Sequence, residues 1–209
     1  MRKLVPFLVL FPLLLWQCTQ SPYKTLKLSQ EQLSALNRLL EEKGEQYNPD
    51  EKMLRSEFSS PGYHTTLTDG MVHRTRQSLM YAASCLDSNE PELKQRGFDI
   101  IERVVDLQDK NPASDTYGIW SWFLEEPLSR MSPPDWNWAD FCGVQLLQAV
   151  IYHKDEFDAE LLQKVNESIV HAARSIEKRN VGPGYTNIAV MGAYVTMMTA
   201  ELQNLPDLK

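Results

Sequence analysis

The most constraining feature of this sequence is that its helical segments are of two kinds. The third and fifth predicted segments, KQRGFDIIERVVDLQDK and ELLQKVNESIVHAARSIEKR, carry apolar residues at helical spacing and charges elsewhere. The fourth and sixth, WADFCGVQLLQAVIYH and IAVMGAYVTMMTAEL, are apolar nearly all round. An amphipathic helix covers a core from outside, whereas a helix that is apolar on every side must be buried on every side. From the fourth helix onward, the order predicts alternating inner and outer helices.

Six helices are predicted, and no strand is predicted because no segment alternates convincingly with period two. The first begins at Ser29, where Gln32 completes a capping-box pattern, and the third opens with Pro91, a residue suited to a first turn. The segment NPDEKMLRSEFSSPGYHTTL is predicted to be a loop because proline and glycine interrupt it. The remaining helices are expected at about Asp69–Leu86, Trp138–His153, from Asp158 onward, and from Ile188 to Leu202.

This order predicts an all-α fold of stacked helical hairpins, with an irregular helix bundle as the alternative. Pairing the second helix with the third and the fourth with the fifth leaves the sixth without an outer partner, and the sequence ends at NLPDLK. An uncovered apolar helix would expose a large patch. We therefore expect either that another chain covers the sixth helix, through Val190, Tyr194 and Met198, or that the sequence is the front portion of a longer protein. We favour the second.

The N-terminal segment has the pattern of an export signal. MRK is followed by LVPFLVLFPLLLW, an apolar run of 13 residues, which is shorter than the roughly 20 residues that span a bilayer. Cys18 follows at once, which resembles a bacterial lipoprotein signal, although Gln17 stands where a small residue is expected. We expect residues 1–17 to be a signal peptide, 18–28 a lipid-anchored tether and 29–209 the helical domain. A plain signal peptide or an uncleaved anchor are the alternatives.

The net charge and the motif content limit which classes of partner, metal and cofactor are predicted. The net charge is −7 with no basic stripe, which argues against a nucleic-acid partner. There is no CxxC or zinc-type spacing and the histidines are scattered, so no metal site is predicted. No phosphate-binding glycine loop or dinucleotide fingerprint occurs, so no cofactor is predicted. Cys85 and Cys142 are expected either to form one disulfide or to be two buried thiols.

One connecting segment, DTYGIWSWFLEEPLSRMSPPDWNWADF, holds four of the five tryptophans. Aromatic faces stack on the apolar faces of sugar rings, and an indole adds a hydrogen-bond donor at its edge. The cluster therefore predicts a glycan-binding surface at the loops that lead into the inner helices. The alternative is that the rings form the small core that a long loop needs. The candidate substrate-binding residues are Trp120, Trp122, Trp136 and Trp138, together with His73 and Arg74 at the loop that leads into the second helix.

Candidate catalytic residues lie in and beside the same loops. A glycosidase needs two carboxylates that flank the bond, and Asp140 and Glu125 are the candidates. The alternative for Asp140 is a carboxylate favoured by a helix N-terminus. A lyase needs a base and a donor that neutralises the developing charge. Tyr185 and Asn187 in GPGYTN, with His73 and Arg74, have the required types, unless Thr186 or Asn187 caps the sixth helix.

The segments YGIWSWFLEEPLSRMSPPDWNWADFCG and GPGYTNIAVMGAYV resemble uncharacterised bacterial lipoproteins of the α/α-toroid type. These are similar in architecture to six-hairpin glycosidases and to the toroid domains of polysaccharide lyases, and the resemblance covers residues 58–202. It implies an incomplete α/α toroid that acts on an oligosaccharide or polysaccharide at the cell envelope as a glycan-degrading enzyme or a fragment of one. A non-catalytic glycan-binding lipoprotein and a structural or partner-binding lipoprotein are the alternatives.

Overall fold

The structure, a computed structural model, describes residues 27–208 and is mostly helical. The helical expectation is confirmed, but the expectation of no strand is wrong, because a three-stranded antiparallel sheet of order β1-β2-β3 lies between the first two helices. The predicted signal peptide and Cys18 lie outside the described residues. The elements are α1 Gln30–Gly44, β1 Tyr47–Asn48, β2 Met53–Ser59, β3 Asp69–His73, α2 Thr75–Leu86, α3 Pro91–Asp106, α4 Asn137–His153, α5 Ala159–Arg179 and α6 Thr186–Leu202.

The sheet occupies a segment that was predicted as loop and as the start of the second helix. The backbone N–H groups there donate to carbonyls of other segments rather than to a helical turn. Arg74 N–H donates to the Leu54 carbonyl at 3.0 Å, and Thr75 N–H donates to the Trp122 carbonyl at 3.2 Å. Because Asp69–His73 pair with β2 as strand β3, α2 begins at Thr75 rather than at Asp69. The sheet is stabilised from outside itself, because Phe58 and Val72 pack on Phe123.

The predicted helix ends agree with the structure where local chemistry determines them. Ser29 caps α1 through its hydroxyl at 3.2 Å from the Gln32 amide, and the Gln32 side chain returns a bond of 2.8 Å. Pro91 occupies the first turn of α3. The Asp158 side chain accepts from the Leu161 amide at the start of α5. These caps satisfy orphan backbone groups within the local sequence, so the pattern alone is enough to predict them.

The helices form two layers. Helices α2, α4 and α6 pack side by side, while α3 lies against α2 and α5 against α4 and α6. Two glycines allow the close approach: a Cβ at Gly97 would lie 2.9 Å from the Ala82 carbonyl oxygen of α2, and one at Gly143 would lie 3.0 Å from a Val195 methyl group of α6. Substitution of either by alanine would push two helices apart.

The two uniformly apolar helices differ in their surroundings. Helix α4 is buried on most of its sides, as predicted. Helix α6 packs against α4 and α5 on one side only, and within residues 27–208 its other side is open: Val190 is 64%, Met197 66% and Tyr194 38% exposed. The predicted exposed apolar face is therefore present at Val190 and Tyr194, whereas Met198 is half-buried and packs against the core.

Two further expectations are addressed by the described residues. Cys85 and Cys142 are free and buried, which corresponds to the buried-thiol alternative rather than to a disulfide. Burial raises the pKa of the Cys85 thiol to about 11, so it is protonated at neutral pH. Over residues 27–208, no helix has the length and apolar character that crossing a membrane requires.

A buried histidine at the C-terminal ends of α2 and α4 connects α4 to the residues that follow each of these helices. His153, the last residue of α4, lies 3.0 Å from the Asp87 carboxylate after α2 and 3.0 Å from that of Glu156. Burial favours the neutral imidazole, but the hydrogen bonds with Asp87 and then Glu156 outweigh it, so the pKa of His153 is raised. Lys94 of α3 extends the network through Glu156.

We predict that His153→Gln removes a pH-dependent part of the stability. Because the folded-state pKa of His153 is raised, its stabilisation is fully present below the unfolded pKa of about 6.5 and is lost as pH rises through the folded value. The free energy of unfolding of the wild type should exceed that of the variant by about 2 kcal/mol at pH 5.5, and the difference should shrink by pH 8.5 in urea titrations.

His171→Gln is the matched control. Burial lowers the pKa of His171, so its effect on the pH dependence should have the opposite sign. A difference between wild type and His153→Gln that is constant from pH 5.5 to 8.5 would contradict the prediction.

Candidate functional site

The three loops that lead into α2, α4 and α6 meet at one end of the molecule. Thr75 in the first turn of α2 accepts a hydrogen bond of 3.0 Å from the Trp138 indole in the first turn of α4. The Asn137 amide of α4 lies 3.5 Å from the Tyr185 hydroxyl, next to α6. These contacts agree with the sequence expectation that such loops gather and line a common surface.

A continuous row of rings crosses this surface, which we call the aromatic ladder: Tyr63, His64, Trp122, Trp138 and Phe141. The Trp122 and Trp138 rings stack, with centroids 5.1 Å apart and planes at 28°. Tyr63 and His64 lie 6.1 and 5.5 Å from Trp122, and Phe141 lies 5.5 Å from Trp138.

One end of the ladder is accessible and the other is capped by a charge. Tyr63 is 59% exposed, whereas Trp122 and Trp138 are half-buried. At the far end the Arg76 guanidinium lies 3.7 Å from the centre of the Phe141 ring, a cation–π contact. The ladder therefore offers aromatic edges and faces next to one cation, on a surface built by separate parts of the chain.

The two stacked indoles are held by hydrogen bonds as well as by packing. The Trp122 indole N–H donates to Asp135 at 3.2 Å, and the other oxygen of the same carboxylate accepts from the Asn137 amide at 3.1 Å. The Trp138 indole N–H donates to Thr75, whose hydroxyl donates to the Ser121 carbonyl at 2.6 Å. Because the edges of both rings are tied to buried groups, the stacked pair is rigid before any ligand arrives.

Trp120 does not belong to this surface, and its assignment to substrate binding is corrected. It is completely buried, and its indole N–H donates to the Val104 carbonyl at 2.8 Å, so it has no face to offer to a ligand. Trp136 is half-buried away from the ladder, where its indole donates to the Asp115 carbonyl at 3.2 Å. It lines a separate cavity with Tyr117 and Arg179.

His73 and Glu125 form a pair that supports the fold. The His73 Nδ1 lies 2.6 Å from the Glu125 carboxylate, and Nε2 lies 3.0 Å from the Asn48 amide. His73 is buried and both of its ring nitrogens have protein partners, which corrects its assignment to substrate binding. Glu125 also accepts from the His73 backbone amide, so its carboxylate fastens the tryptophan-rich segment to the end of β3.

Arg74 is also engaged by the fold. Its guanidinium donates to the Ser56 hydroxyl and to the Glu57 carbonyl, both at 2.7 Å, and it lies 5.7 Å from the Phe58 ring. Burial lowers the pKa of the guanidinium. These contacts join the start of α2 to β2, and the assignment of Arg74 to substrate binding stays a prediction.

Asp140 is the most perturbed of the predicted catalytic groups. It lies in the first turn of α4, where the helix dipole favours a carboxylate, but only 2% of it is exposed and its Oδ1 has no hydrogen-bond partner. Burial raises the pKa of Asp140 to about 7, the Arg179 guanidinium opposes this, and Asp135 adds to it. The effect of burial therefore outweighs the effect of the helix terminus.

Tyr185 and Asn187 lie at the start of α6 and are both exposed. Asn137 joins Tyr185 to Arg179, whose guanidinium donates to the Asn137 side-chain oxygen at 2.6 Å. Neither Thr186 nor Asn187 caps the helix: the N-cap position is Tyr185, without a side-chain cap bond, and the Thr186 hydroxyl donates to the Pro183 carbonyl. The capping alternative for this segment is wrong.

The two candidate glycosidase carboxylates have different surroundings. Glu125 pairs with His73 beside the sheet, whereas Asp140 faces α6, where a Cβ at Gly192 would lie 3.0 Å from its Oδ1. Residues that are two positions apart in an α-helix are separated by about 200° around its axis, so Trp138 and Asp140 lie on different sides of α4.

Sequence reasoning missed several residues of this surface. Tyr63 and His64 lie in the loop between β2 and β3, far from the tryptophans in sequence, and the unpredicted sheet is what brings them together. Asp135 is one of the acidic residues of the tryptophan-rich segment, but its spacing did not show that it holds both the Trp122 indole and the Asn137 backbone amide. No sequence pattern distinguished Arg76 and Phe141 as members of this surface.

The chain belongs to the family named Domain of unknown function (DUF8769), whose model matches residues 52–208. This range includes the ladder, Asp140 and the start of α6. No curated protein and no solved structure matches the chain. Over residues 27–208, no group of three or more His, Cys, Asp or Glu side chains is arranged to hold a metal ion.

We predict that Asp140→Asn stabilises the protein at alkaline pH. The pKa of the folded carboxyl is raised from 3.8 to about 7, so between these values the folded chain holds a proton that the unfolded chain has released. Wild-type stability should therefore fall as pH rises from about 4 to about 7, by at most about 4 kcal/mol for the full shift. The variant should equal the wild type at pH 4 and exceed it at pH 8 in urea titrations.

Asp155→Asn, at an exposed aspartate after α4, is the control and should change little at either pH. If Asp140→Asn is less stable than the wild type at pH 8, the buried carboxylate is stabilised by contacts that the structure does not contain, and the prediction is wrong.

Proposed function

We propose that the protein is an exported, lipid-anchored glycan-binding protein of the cell envelope, in which the aromatic ladder contacts the sugar rings. The observation that carries this proposal is the stacked Trp122–Trp138 pair, which continues into the exposed Tyr63. Its indole N–H groups are held by Asp135 and Thr75. Rigid aromatic surface with polar groups at its edges suits the alternating apolar faces and hydroxyl rims of sugars.

The arrangement of the helices supports an incomplete α/α toroid as the scaffold. Inner helices α2, α4 and α6 alternate along the chain with outer helices α3 and α5. The loops before the inner helices then share one end, which is where the ladder lies. The exported, lipid-anchored location rests on the N-terminal sequence, in which an apolar run is followed by Gln17 and Cys18.

Binding has more support than cleavage. Cleavage of a glycosidic bond requires two carboxylates on either side of it, but Glu125 is paired with His73 and Asp140 lies on the side of α4 that faces α6. The ladder, in contrast, is formed within the described residues and needs no further group. We therefore propose capture of a glycan rather than its degradation.

We predict that Trp138→Ala and Tyr63→Ala each weaken glycan binding at least about tenfold, which corresponds to about 1.4 kcal/mol. A panel of neutral and acidic oligosaccharides is first screened by tryptophan emission, and binders are then titrated by calorimetry. Tyr63 is exposed, so its replacement should leave the unfolding midpoint unchanged and separate lost binding from lost folding.

Trp136→Ala is the matched control, because this tryptophan belongs to the same segment but lies away from the ladder. It should bind glycan as the wild type does. An equal loss in Trp136→Ala, or no binding of any oligosaccharide by the folded wild type, would contradict the proposed function.

We predict that Cys18 carries the lipid. Expression of the full chain in a bacterium supplied with labelled palmitate should label the wild type and place it in the membrane fraction. Cys18→Ser should lose the label, while Cys85→Ser, which removes a buried thiol, should keep it. Label on the Cys18→Ser variant would show that the cysteine is not the modified residue.

A further inference from the structure

Arg76, in the first turn of α2, is a cation without a counter-ion. Over residues 27–208 its guanidinium makes no hydrogen bond and no ion pair. It lies instead against the Phe141 ring, with 3.7 Å between the guanidinium carbon and the ring centre. An aromatic face attracts the charge but does not use the N–H donors in conventional hydrogen bonds. These donors are therefore available to a ligand.

The guanidinium is accessible from solvent. Arg76 is partly exposed, and none of its side-chain nitrogens is among the described atoms that are both buried and without a partner. Because these nitrogens have no protein partner, each of them must keep some accessible surface. The neighbouring rings of Phe141 and Trp138 are also partly exposed. A ligand can therefore reach the cation and the rings beside it.

The acidic side chains of the tryptophan-rich segment do not neutralise Arg76. Asp135 is buried and accepts from the Trp122 indole, and Glu125 is paired with His73. Among residues 27–208, no carboxylate lies within ion-pair distance of the Arg76 guanidinium. The end of the ladder at Arg76 thus carries a positive charge that the described chain leaves unpaired.

The stability of α2 does not explain this position for a cation. The N-terminal end of a helix carries a partial positive charge, so a cation is disfavoured there and an anion is favoured. The first turn of α2 contains no acidic residue that would offset the charge of Arg76. An anion bound by the guanidinium would interact favourably with both charges.

The rings next to Arg76 place a bound sugar beside the charge. The Phe141 ring centre lies 5.5 Å from that of Trp138, and the two planes are nearly perpendicular, at 89°. Trp138 continues the ladder by stacking on Trp122. Arg76 and the Trp138 indole are therefore separated by a single ring, and a substituent of a sugar that lies on Trp138 can extend to the guanidinium.

We propose that Arg76 binds the anionic group of an acidic sugar, a carboxylate or a phosphate, while the sugar ring lies against the neighbouring end of the ladder. The planar guanidinium can donate to two oxygens of such a group at once. This inference rests on the proposed function, because it names acidic glycans as the class of glycan that the ladder binds.

The test titrates the full-length protein with glucose, glucuronate and glucose 6-phosphate, which share one sugar ring and differ at carbon 6. Binding is followed by the NMR signals of the Arg76 Nε–H and Trp138 indole N–H groups. Glucuronate or glucose 6-phosphate should bind at least about tenfold more tightly than glucose, because a hydrogen bond to a charged group is stronger than one to a neutral group. The tighter of the two identifies the anionic group.

Variants assign the preference to Arg76. In Arg76→Gln the acidic sugars and glucose should bind with equal affinity, whereas Arg76→Lys keeps the charge without the planar fork and should keep part of the preference. Unchanged urea midpoints show that both variants are folded. Arg38→Gln is the matched control and should keep the full preference. It removes the same charge from an exposed position on α1, near the other end of α2, where the adjacent Asn37 donates to Asn89 at 2.8 Å.

Two results would overturn the inference: acidic sugars that bind no more tightly than glucose, or a preference that survives in Arg76→Gln. Either result leaves the proposed function to be decided by the oligosaccharide panel and by Tyr63→Ala, at the other end of the ladder. A failure of the acidic preference is therefore distinguishable from a failure of glycan binding.

Discussion

The rest of the structure depends on how the start of the tryptophan-rich segment, residues 115–141, is fixed against the helices. Gly118 has a φ of +81° and passes so close to α5 that a Cβ there would lie 2.3 Å from the His171 carbonyl oxygen, which only glycine permits. Two residues later, Trp120 inserts into the core and its indole satisfies the Val104 carbonyl near the end of α3. Loss of such a side chain costs about 3–5 kcal/mol. The anchor fixes the backbone two residues before Trp122, the ring that contacts most of the ladder.

The anchor explains why one loop holds so many tryptophans. The segment must cross from the outer layer to the start of α4 while it covers the sheet, and it has no regular backbone pairing of its own. Large side chains substitute for that pairing: Trp120 fixes the segment to the helices, and Glu126 fixes it to the neighbouring loop by accepting from Thr66 at 2.7 Å. Trp122 is then held outward against Trp138. The sequence left two alternatives open, a small loop core and an exposed aromatic surface, and both are present in this segment. Trp120 belongs to a buried core, whereas Trp122 and Trp138 form the aromatic surface.

The helices were predictable because their signals are local, whereas the sheet and the ladder were not. Ser29, Pro91 and Asp158 lie within one turn of the backbone groups that they affect, so pattern and spacing are sufficient. Strand β2 reads MLRSEFS, and its three buried residues are Met53, Leu54 and Phe58, of which the first two are adjacent, which hides the period of two. Its partner β3 is short, and its burial depends on Phe123, 51 residues beyond Val72 in the sequence. The ladder depends on the same long-range contacts, because Tyr63 and His64 lie in the loop between β2 and β3.

Asp135 links the aromatic ladder to Asp140 through the start of α4. One of its carboxylate oxygens holds the Trp122 indole and the other holds the first amide of the helix, and its charge adds to the cost of ionising Asp140. A change in the charge of Asp140 therefore alters the electrostatic environment of the carboxylate that positions the ladder. Since the Coulomb energy between buried groups is screened far less than between exposed ones, the ionisation of Asp140 and the positioning of Trp122 are physically coupled. The N-terminal turn of α4 is therefore the element that the ladder shares with Asp140.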